Sequence, residues 1–198
     1  MPEERNPLYP VFLKLHRLHL LIVGAGEVGY EKLSFILKSS PAAHITVVAT
    51  WVSDEVQVLL DSMPGHRVTV HRRPFAPDDL AGKDLAIAAT NIADLNRRIH
   101  REAKSRAILI NVADTPDLCD FYLGSIVTKG QLKVGISTNG KSPTLAKRFR
   151  QWLEANLPEE TDQLLANLYQ VRGRLGSDFS EKVRRLNQIT SSMLERES

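Results

Sequence analysis

The feature that most constrains the fold is a glycine-rich turn placed directly after an apolar run. Residues Leu18–Val23 are almost entirely apolar, and Gly24-Ala25-Gly26-Glu27-Val28-Gly29 follows with the spacing G-x-G-x-x-G. A short apolar run that ends at a glycine is typical of a buried parallel strand. A helical pattern continues from about Val28 to Lys38. A strand, this turn and a helix in succession indicate the first unit of a dinucleotide-binding domain.

Apolar runs and helical patterns then alternate along the chain. The sequence predicts strands at Ile45–Ala49, Arg67–His71, Asp84–Ala89 and Ala107–Val112, and a helix at Leu95–Ser105. Strands that alternate with helices imply βαβ units and a parallel sheet, so we expect an α/β, Rossmann-like domain.

The pattern changes after this domain. Phe121–Val127 and Leu132–Thr138 surround a polar turn and predict a β-hairpin. Ser142 as N-cap and Pro143 at the first helical position predict a helix to about Asn156. The remainder is charged and helical in pattern, with breaks near Gly173–Ser177. We therefore predict a Rossmann domain over 1–113, a small hairpin-and-helix module over 114–152 and a helical C-terminal domain over 153–198.

Each glycine of the turn has a physical role in a dinucleotide site. Gly24 permits the tight turn, Gly26 lets a pyrophosphate approach the backbone, and Gly29 lets the helix pack closely on the strand. The helix N-terminus adds amide donors and a positive dipole. A turn with a packing role only, or an adenosyl-methionine site, remains an alternative.

The second strand lacks the acid that usually holds the ribose hydroxyls of a dinucleotide. Ile45–Thr50 contains no carboxylate, and Thr50 and Trp51 occupy the end of the strand. Asp54 is the nearest acid. Since no arginine is present there to bind a 2′-phosphate, the sequence favours NAD over NADP.

Polar residues follow two later strands, and ligands of open α/β sheets bind beyond such strand ends. Thr90 and Asn91 end the fourth strand and are candidates for cofactor hydrogen bonds, or for an ordinary strand-to-helix turn. Asp114 ends the fifth strand, where a carboxylate can act as a general base, anchor a cationic nitrogen or cap the turn before Pro116.

A second polar, glycine-bearing loop precedes the helix of the middle module. Its candidate anion-binding residues are Thr138, Asn139, Gly140, Lys141 and Ser142. The helix N-terminus would supply amide donors and Lys141 a positive charge. The alternative is a capped helix with a solvated basic face.

Composition excludes several classes of function. The six histidines show no pair with the spacing of a helical zinc site, so no metal site is predicted. Cys119 is the single cysteine, which excludes an internal disulfide and fits a reducing, cytoplasmic setting. No run is long enough to span a membrane, and the charged N-terminus lacks a secretory leader. A net charge of +3 suits a polyanionic ligand.

Taken together, these stretches resemble one family. The matching segments are Tyr9–Leu13, Leu20–Lys32, Ile45–Ala49, Leu85–Asn91, Asn111–Asp114 and Gly135–Pro143. In this order they are similar to the dehydrogenase module of siroheme synthases, the precorrin-2 dehydrogenase family, some members of which are also sirohydrochlorin ferrochelatases. The strand end N-V-x-D with the later S-T-N-G-K-S-P loop makes the resemblance specific.

The resemblance implies both a reaction and its partners. Precorrin-2 would lose a hydride to NAD and a proton to solvent or a base, giving sirohydrochlorin, with Fe²⁺ inserted afterwards in bifunctional members. The family's key aspartate falls on Asp114 and its cofactor contacts on Gly24–Val28 and Thr50-Trp51. Members form homodimers through the middle module, and usually lack the strand-two acid. The tetrapyrrole carries carboxylates, which suits the basic loop around Lys141.

Two other functions remain open from the sequence. One is a chelatase without dehydrogenase activity, inserting Fe²⁺ or Co²⁺. The other is a non-catalytic NAD-sensing module whose basic tail contacts a nucleic acid or a protein; the tail's basic residues are Arg172, Arg174, Lys182, Arg184 and Arg185. Interspersed acids and the lack of a helix-turn-helix pattern speak against nucleic acid as the partner.

Overall fold

The computed structural model describes residues 6–174 and 179–190. The chain forms two compact units, Met1–Leu123 and Gly124–Ser198. The predicted division into 1–113, 114–152 and 153–198 remains a prediction. Within the described ranges, no helix is long and apolar enough to cross a bilayer.

The first unit is built on five parallel strands. They are β1 (His19–Ala25), β2 (His44–Val52), β3 (Arg67–Arg72), β4 (Leu85–Ala88) and β5 (Leu109–Val112). Their order in the sheet is β3-β2-β1-β4-β5, which confirms the predicted Rossmann-like sheet. The chain progresses outward from β1 to β3 and then returns to β4 on the other side. The carboxyl ends of β1 and β4 therefore form the crevice in which such sheets bind ligands.

Helices cover both faces of this sheet. They are α1 (Glu27–Ser39), α2 (Asp54–Asp61) and α3 (Ala93–Ser105), with short 3₁₀ turns at Pro77–Leu80 and Pro116–Leu118. Leu33 and Leu37 of α1 and Val56 of α2 are buried on one face, and Ile99 of α3 is buried on the other. The α1 and α3 helices were predicted and α2 was not.

The outer edge of β5 is covered by the segment that follows it. Asp120 donates its backbone amide to the Ile110 carbonyl oxygen and accepts from the Ile110 amide through its carboxylate, at 2.8 and 3.0 Å. The Cys119 sulfur accepts from the Val112 amide and lies 3.2 Å from the Val112 carbonyl oxygen. Cys119 and Asp120 therefore both pair with backbone groups of the edge strand.

In the second unit, the residues that the structure describes form an antiparallel hairpin and three helices. These are β6 (Ser125–Lys129), β7 (Leu132–Ile136), α4 (Pro143–Asn156), α5 (Thr161–Arg174) and α6 (Phe179–Thr190). The hairpin and the bounds of α4 were predicted. The first hairpin strand begins at Ser125 and not at Phe121, because Phe121 and Leu123 pack against the core of the first unit. The predicted break near Gly173–Ser177 lies partly outside the described residues.

The second unit has little buried apolar surface. Val127 and Ala146 are its buried hydrophobic residues among those the structure describes. Polar contacts join its elements: the Lys129 ammonium donates to the Leu157 carbonyl oxygen at 2.9 Å, and the Asp162 carboxylate accepts from the Gln131 amide at 2.8 Å. Hydrogen bonds at the hairpin turn thus tie the start of the C-terminal helices to the hairpin.

Candidate active site

The glycine turn is fixed by contacts between backbone segments. A Cβ added to Gly24 would lie 2.4 Å from the Ala89 carbonyl oxygen, and one added to Gly29 would lie 2.2 Å from the Gly24 carbonyl oxygen. Gly24 also has a φ of +106°, which L side chains rarely adopt. The backbone of the glycine turn therefore packs directly against the end of β4 and against the start of α1.

The middle glycine is free of such contacts. A Cβ at Gly26 would meet only the Trp51 ring, at the ordinary distance of 3.6 Å. Gly26 is the N-cap of α1 and provides no side-chain cap, so no side chain of the turn itself satisfies the amides of the first helical turn. Open space at Gly26 and donors at the helix N-terminus fit a bound pyrophosphate.

The other residues predicted to contact the cofactor differ in how exposed their side chains are. Ala25 is 2 % exposed and belongs to the core, so only its backbone can face a ligand, whereas Val28 is half-buried and packs against that core. Thr50 and Trp51 are exposed at the end of β2, Trp51 by 65 %. An open cavity of about 370 Å³ lies beside them, lined by Glu27, Tyr30, Trp51, Ser53 and Glu55.

The Thr90 hydroxyl is already engaged within the protein. It donates to the Asn96 side-chain oxygen at 2.6 Å and accepts from the Ile92 amide at 3.2 Å. The buried Asn96 also donates to the Thr90 carbonyl oxygen at 2.9 Å. These hydrogen bonds fit the alternative prediction for Thr90, an ordinary strand-to-helix turn. Asn91 is exposed at the same strand end.

Asp114 stands at the carboxyl edge of the sheet with an unusual backbone. Its φ is +56°, in the left-handed region, and its side chain is exposed. The preceding Ala113 donates its amide to the Ala88 carbonyl oxygen at 2.9 Å, so the strand end next to Asp114 is held against β4. Within residues 6–174 and 179–190, its carboxylate has no hydrogen-bond or ion-pair partner. Such a carboxylate is available to a ligand.

The predicted anion loop lies in the second unit and is shaped by local hydrogen bonds. Asn139 and Gly140 have successive φ values of +52° and +73°. The Lys141 amide donates to the Thr138 carbonyl oxygen at 3.0 Å, which closes a tight turn of the I′ type. Ser142 caps α4 through its hydroxyl, which accepts from the Leu145 amide at 3.2 Å.

The first unit thus brings the glycine turn, Trp51 and Thr90 to one edge of its sheet. Tyr30, Ser53 and Glu55 of the cavity were missed by the sequence analysis. Ser53, with apolar Val56 and Leu60 spaced for a helix after it, was the available signal, because serine is a preferred N-cap. Of the residues that the structure describes, no three histidines, cysteines or acids group as a metal site.

Two family models match the chain. One, described as "Putative NAD(P)-binding", matches residues 11–125, more than half of the chain. The other, described as "Sirohaem biosynthesis protein central", matches residues 129–156, which include the second hairpin strand and α4. The two matches fall in sequence order on the two units.

Curated relatives and one solved structure agree with these matches. Siroheme synthases of Pseudoalteromonas atlantica and Nitrosomonas europaea are 38% and 36% identical over 92% and 86% of this chain. The chain spans just over a third of their length, 37% and 35%. The solved structure of SirC, a precorrin-2 dehydrogenase, is 28% identical, with a TM-score of 0.68 over 92% of this chain and 89% of that one.

Proposed function

The chain belongs to the family described as putative NAD(P)-binding, and from this, together with the sirohaem biosynthesis match and the likeness to a precorrin-2 dehydrogenase, we propose that it oxidises precorrin-2 to sirohydrochlorin, with NAD as the hydride acceptor. The likeness to the solved precorrin-2 dehydrogenase carries the proposal, because it extends over 92% of this chain and so includes both units. Precorrin-2 gives up a hydride and a proton, and the products are sirohydrochlorin, NADH and a proton.

The first unit supplies the cofactor site in this proposal. When bound, NAD supplies the hydride acceptor. The open backbone at Gly26 and the uncapped amides of α1 would receive the pyrophosphate, and Trp51 and Glu27 line the cavity beside it. The predicted contacts at Gly24, Ala25, Val28, Thr50, Thr90 and Asn91 are proposed for the same site, that of Ala25 through its backbone.

Asp114 is proposed as the acid–base residue of the reaction. It follows β5 at the ligand-binding edge, and its exposed carboxylate can take a proton from the macrocycle as the hydride departs. The left-handed backbone limits the substitutions that test it, because asparagine tolerates this region better than alanine. Asp114→Asn is therefore the primary variant and Asp114→Ala the secondary one.

The loop Thr138–Ser142 is proposed to bind carboxylates of the tetrapyrrole. Its turn leads directly into the N-terminus of α4, and Lys141 adds a positive charge. Lys141→Ala should raise the KM for precorrin-2 with little change in kcat. Lys147→Ala is the matched control, since Lys147 is an exposed lysine on the body of α4.

Anaerobic turnover of precorrin-2 tests the reaction itself. Purified protein with precorrin-2 and NAD⁺ should give the sirohydrochlorin spectrum together with an equal amount of NADH. Asp114→Asn should lose turnover by about a hundredfold or more while NAD⁺ affinity stays unchanged. Conversion that proceeds without NAD⁺ would contradict the proposal, and full activity of Asp114→Asn would remove Asp114 from the mechanism.

Fe²⁺ insertion into sirohydrochlorin is proposed as a second reaction of the same protein, with Fe²⁺ as substrate. Asp114 would then accept protons released by the pyrrole nitrogens. The assay supplies Fe²⁺ or Co²⁺ with sirohydrochlorin and no NAD⁺, and follows the loss of the metal-free spectrum. Metal insertion at only the uncatalysed rate would mean that the protein has no chelatase activity.

The active form is proposed to be a cytoplasmic homodimer joined through the second unit. Leu145, Phe149 and Trp152 lie on one face of α4 at helical spacing, and each is at least 49% exposed. A second copy would cover this apolar stripe. Light scattering should give twice the chain mass, and Phe149→Lys should reduce it to one. Tyr169→Lys on α5 is the control for an exposed aromatic elsewhere.

A further inference from the structure

The cavity beside the glycine turn is acidic, although β2 carries no acid. Its five lining residues are Glu27, Tyr30, Trp51, Ser53 and Glu55, and none of them is cationic. One carboxylate comes from the first residue of α1 and the other from the first turn of α2. The charge that dinucleotide sites usually place at the end of the second strand is thus supplied by the two flanking helices.

The start of α2, which carries Glu55, is tied to the glycine turn by a backbone hydrogen bond. The amide of the buried Ser53 donates to the Ala25 carbonyl oxygen at 3.0 Å, which joins the start of α2 to the turn. The Ser53 hydroxyl accepts from the Val56 amide and caps the same helix. Ser53 is thus bonded to both segments, and Glu55, two residues further on, lines the same cavity as Glu27 and Trp51.

The Glu55 carboxylate is ionised at neutral pH. Hydrogen bonds from its own backbone amide and from the Ser53 hydroxyl lower the pKa of this exposed carboxyl, and a smaller desolvation effect opposes them. The N-terminal end of α2 favours the same negative charge. An ionised carboxylate accepts hydrogen bonds and donates none, so it suits hydroxyl groups and repels phosphate.

We propose that Glu55 takes the place of the acid absent from β2: it accepts hydrogen bonds from the adenosine ribose hydroxyls of NAD and, together with Glu27, excludes NADP. This inference rests on the use of NAD in the proposed function. A 2′-phosphate would enter a cavity with two carboxylates and no cationic lining residue. Uncompensated repulsion between close like charges of this kind disfavours binding strongly.

An arginine at the same edge of the sheet does not offset this charge. Arg72 ends β3 and donates to the Gln57 side-chain oxygen at 3.1 Å. Gln57 lies two residues after Glu55 in α2, which is about 200° around a helix of 3.6 residues per turn. The Arg72 guanidinium is therefore bound on the face of α2 opposite to Glu55.

The test is a calorimetric titration of the full chain with NAD⁺ and with NADP⁺, without tetrapyrrole. Asp54 is the matched control for Glu55, because it is an exposed acid of the same helical turn that does not line this cavity. Glu55→Gln should reduce the preference for NAD⁺ over NADP⁺ by about tenfold or more, and Asp54→Asn by less than about twofold. Glu55→Arg should bind NADP⁺ more tightly than the wild-type chain does.

The outcomes separate this inference from the proposed reaction. The inference is overturned if Glu55→Gln and Asp54→Asn have equal effects. It is also overturned if the wild-type chain binds the two dinucleotides equally well or binds neither. Thermal melts of each variant establish that it is folded, and Glu55→Arg gives a second reading if Glu55→Gln unfolds. If the chain prefers NAD⁺ over NADP⁺ as expected but does not convert precorrin-2, the inference stands and the proposed reaction is overturned.

Discussion

Each unit opens a helix with a polar, glycine-bearing turn, and the two turns are held in different ways. In the first unit, Gly24 and Gly29 face backbone atoms closer than a Cβ can approach. In the second unit, Gly140 has nothing within 4 Å of its missing Cβ, and hydrogen bonds among its neighbours close the turn. Packing fixes the first turn and local backbone conformation fixes the second.

This difference shows where fold and function can be separated by mutation. A side chain at Gly24 or Gly29 displaces an element of the sheet domain, so loss of activity there says little about chemistry. Substitution of Lys141 in the second turn should leave the surrounding structure in place, because its side chain is exposed and the turn is closed by a backbone hydrogen bond. Gly26 is an exception within the first turn, since its position is open.

The largest effect is expected for Gly29→Ala. The new Cβ would lie 2.2 Å from the Gly24 carbonyl oxygen, and both partners are backbone. We expect the free energy of unfolding to fall by about 3 kcal/mol or more, measured by urea denaturation. Gly135→Ala in β7 is the control, because it has open space and no positive φ. Equal stability of the two variants would remove the distinction between the turns.

Gly26→Ala should separate cofactor binding from stability. Its Cβ meets only the Trp51 ring at 3.6 Å and its φ of −83° is open to alanine, so the melting temperature should stay close to that of the wild-type chain. The methyl group would stand at the proposed position of the pyrophosphate. We expect NAD⁺ affinity to fall by about tenfold, or about 1.4 kcal/mol. An unchanged affinity would mean that the cofactor binds elsewhere.

Gly140→Ala should be milder than Gly29→Ala although both replace a glycine in a turn. The φ of +73° disfavours alanine, and no atom obstructs the added methyl group. We expect the loss of stability to be about 1 kcal/mol, the usual strain of one left-handed residue. Thermal melts compare the variants, and a loss as large as that of Gly29→Ala would show hidden packing around the second turn.

The smallest effect is expected from ion pairs, and it should again differ between the units. In the first unit, hydrogen bonding to the Arg73 guanidinium holds the pKa of Asp79 below its ordinary value of 3.8, and the Asp79 side chain is 7% exposed. In the second unit, hydrogen bonding to Lys129 also lowers the pKa of Glu159, but that side chain is 91% exposed. Solvent therefore screens the second pair far more than the first.

The pH dependence of stability tests this contrast. A carboxyl group whose pKa is lower in the folded than in the unfolded chain stabilises the fold at pH values above its unfolded pKa. This stabilisation is lost as the pH falls through the folded pKa. The contribution of Asp79 should therefore disappear below about pH 3.8. Asp79→Asn should lose up to about 1 kcal/mol at neutral pH and less in acid. Glu159→Gln should show no measurable change at either pH, and an equal loss in both variants would contradict the contrast.

The sequence predicted the elements whose signals are local. The five strands, α1, α3, the hairpin and α4 follow from apolar runs, periodicity and the serine–proline start of α4. The α2 helix was missed because it has only 8 residues, and its buried side chains, Val56 and Leu60, give one pair at helical spacing. The serine at its N-cap, Ser53, was the only strong sequence signal for this helix.

The missed parts of the site depend on contacts between distant segments. Glu55 joins the candidate cofactor cavity because Ser53 bonds to Ala25, 28 positions earlier in the chain. Thr90 was named as a cofactor contact, and the sequence did not reveal that Asn96 engages its hydroxyl. Motif spacing predicts which residues are candidates to meet a ligand, whereas the fold decides which polar groups are already satisfied.

The covered edge of β5 bears on how the protein behaves when it is stressed. An open edge of a parallel sheet is a template on which another chain can add a strand, and this is a common route to aggregation. Cys119 and Asp120 occupy the outward amides and carbonyls of Ile110 and Val112 that such a strand would need. Alkylation or oxidation of the one thiol would release part of that edge, so damage to Cys119 should promote self-association through the sheet.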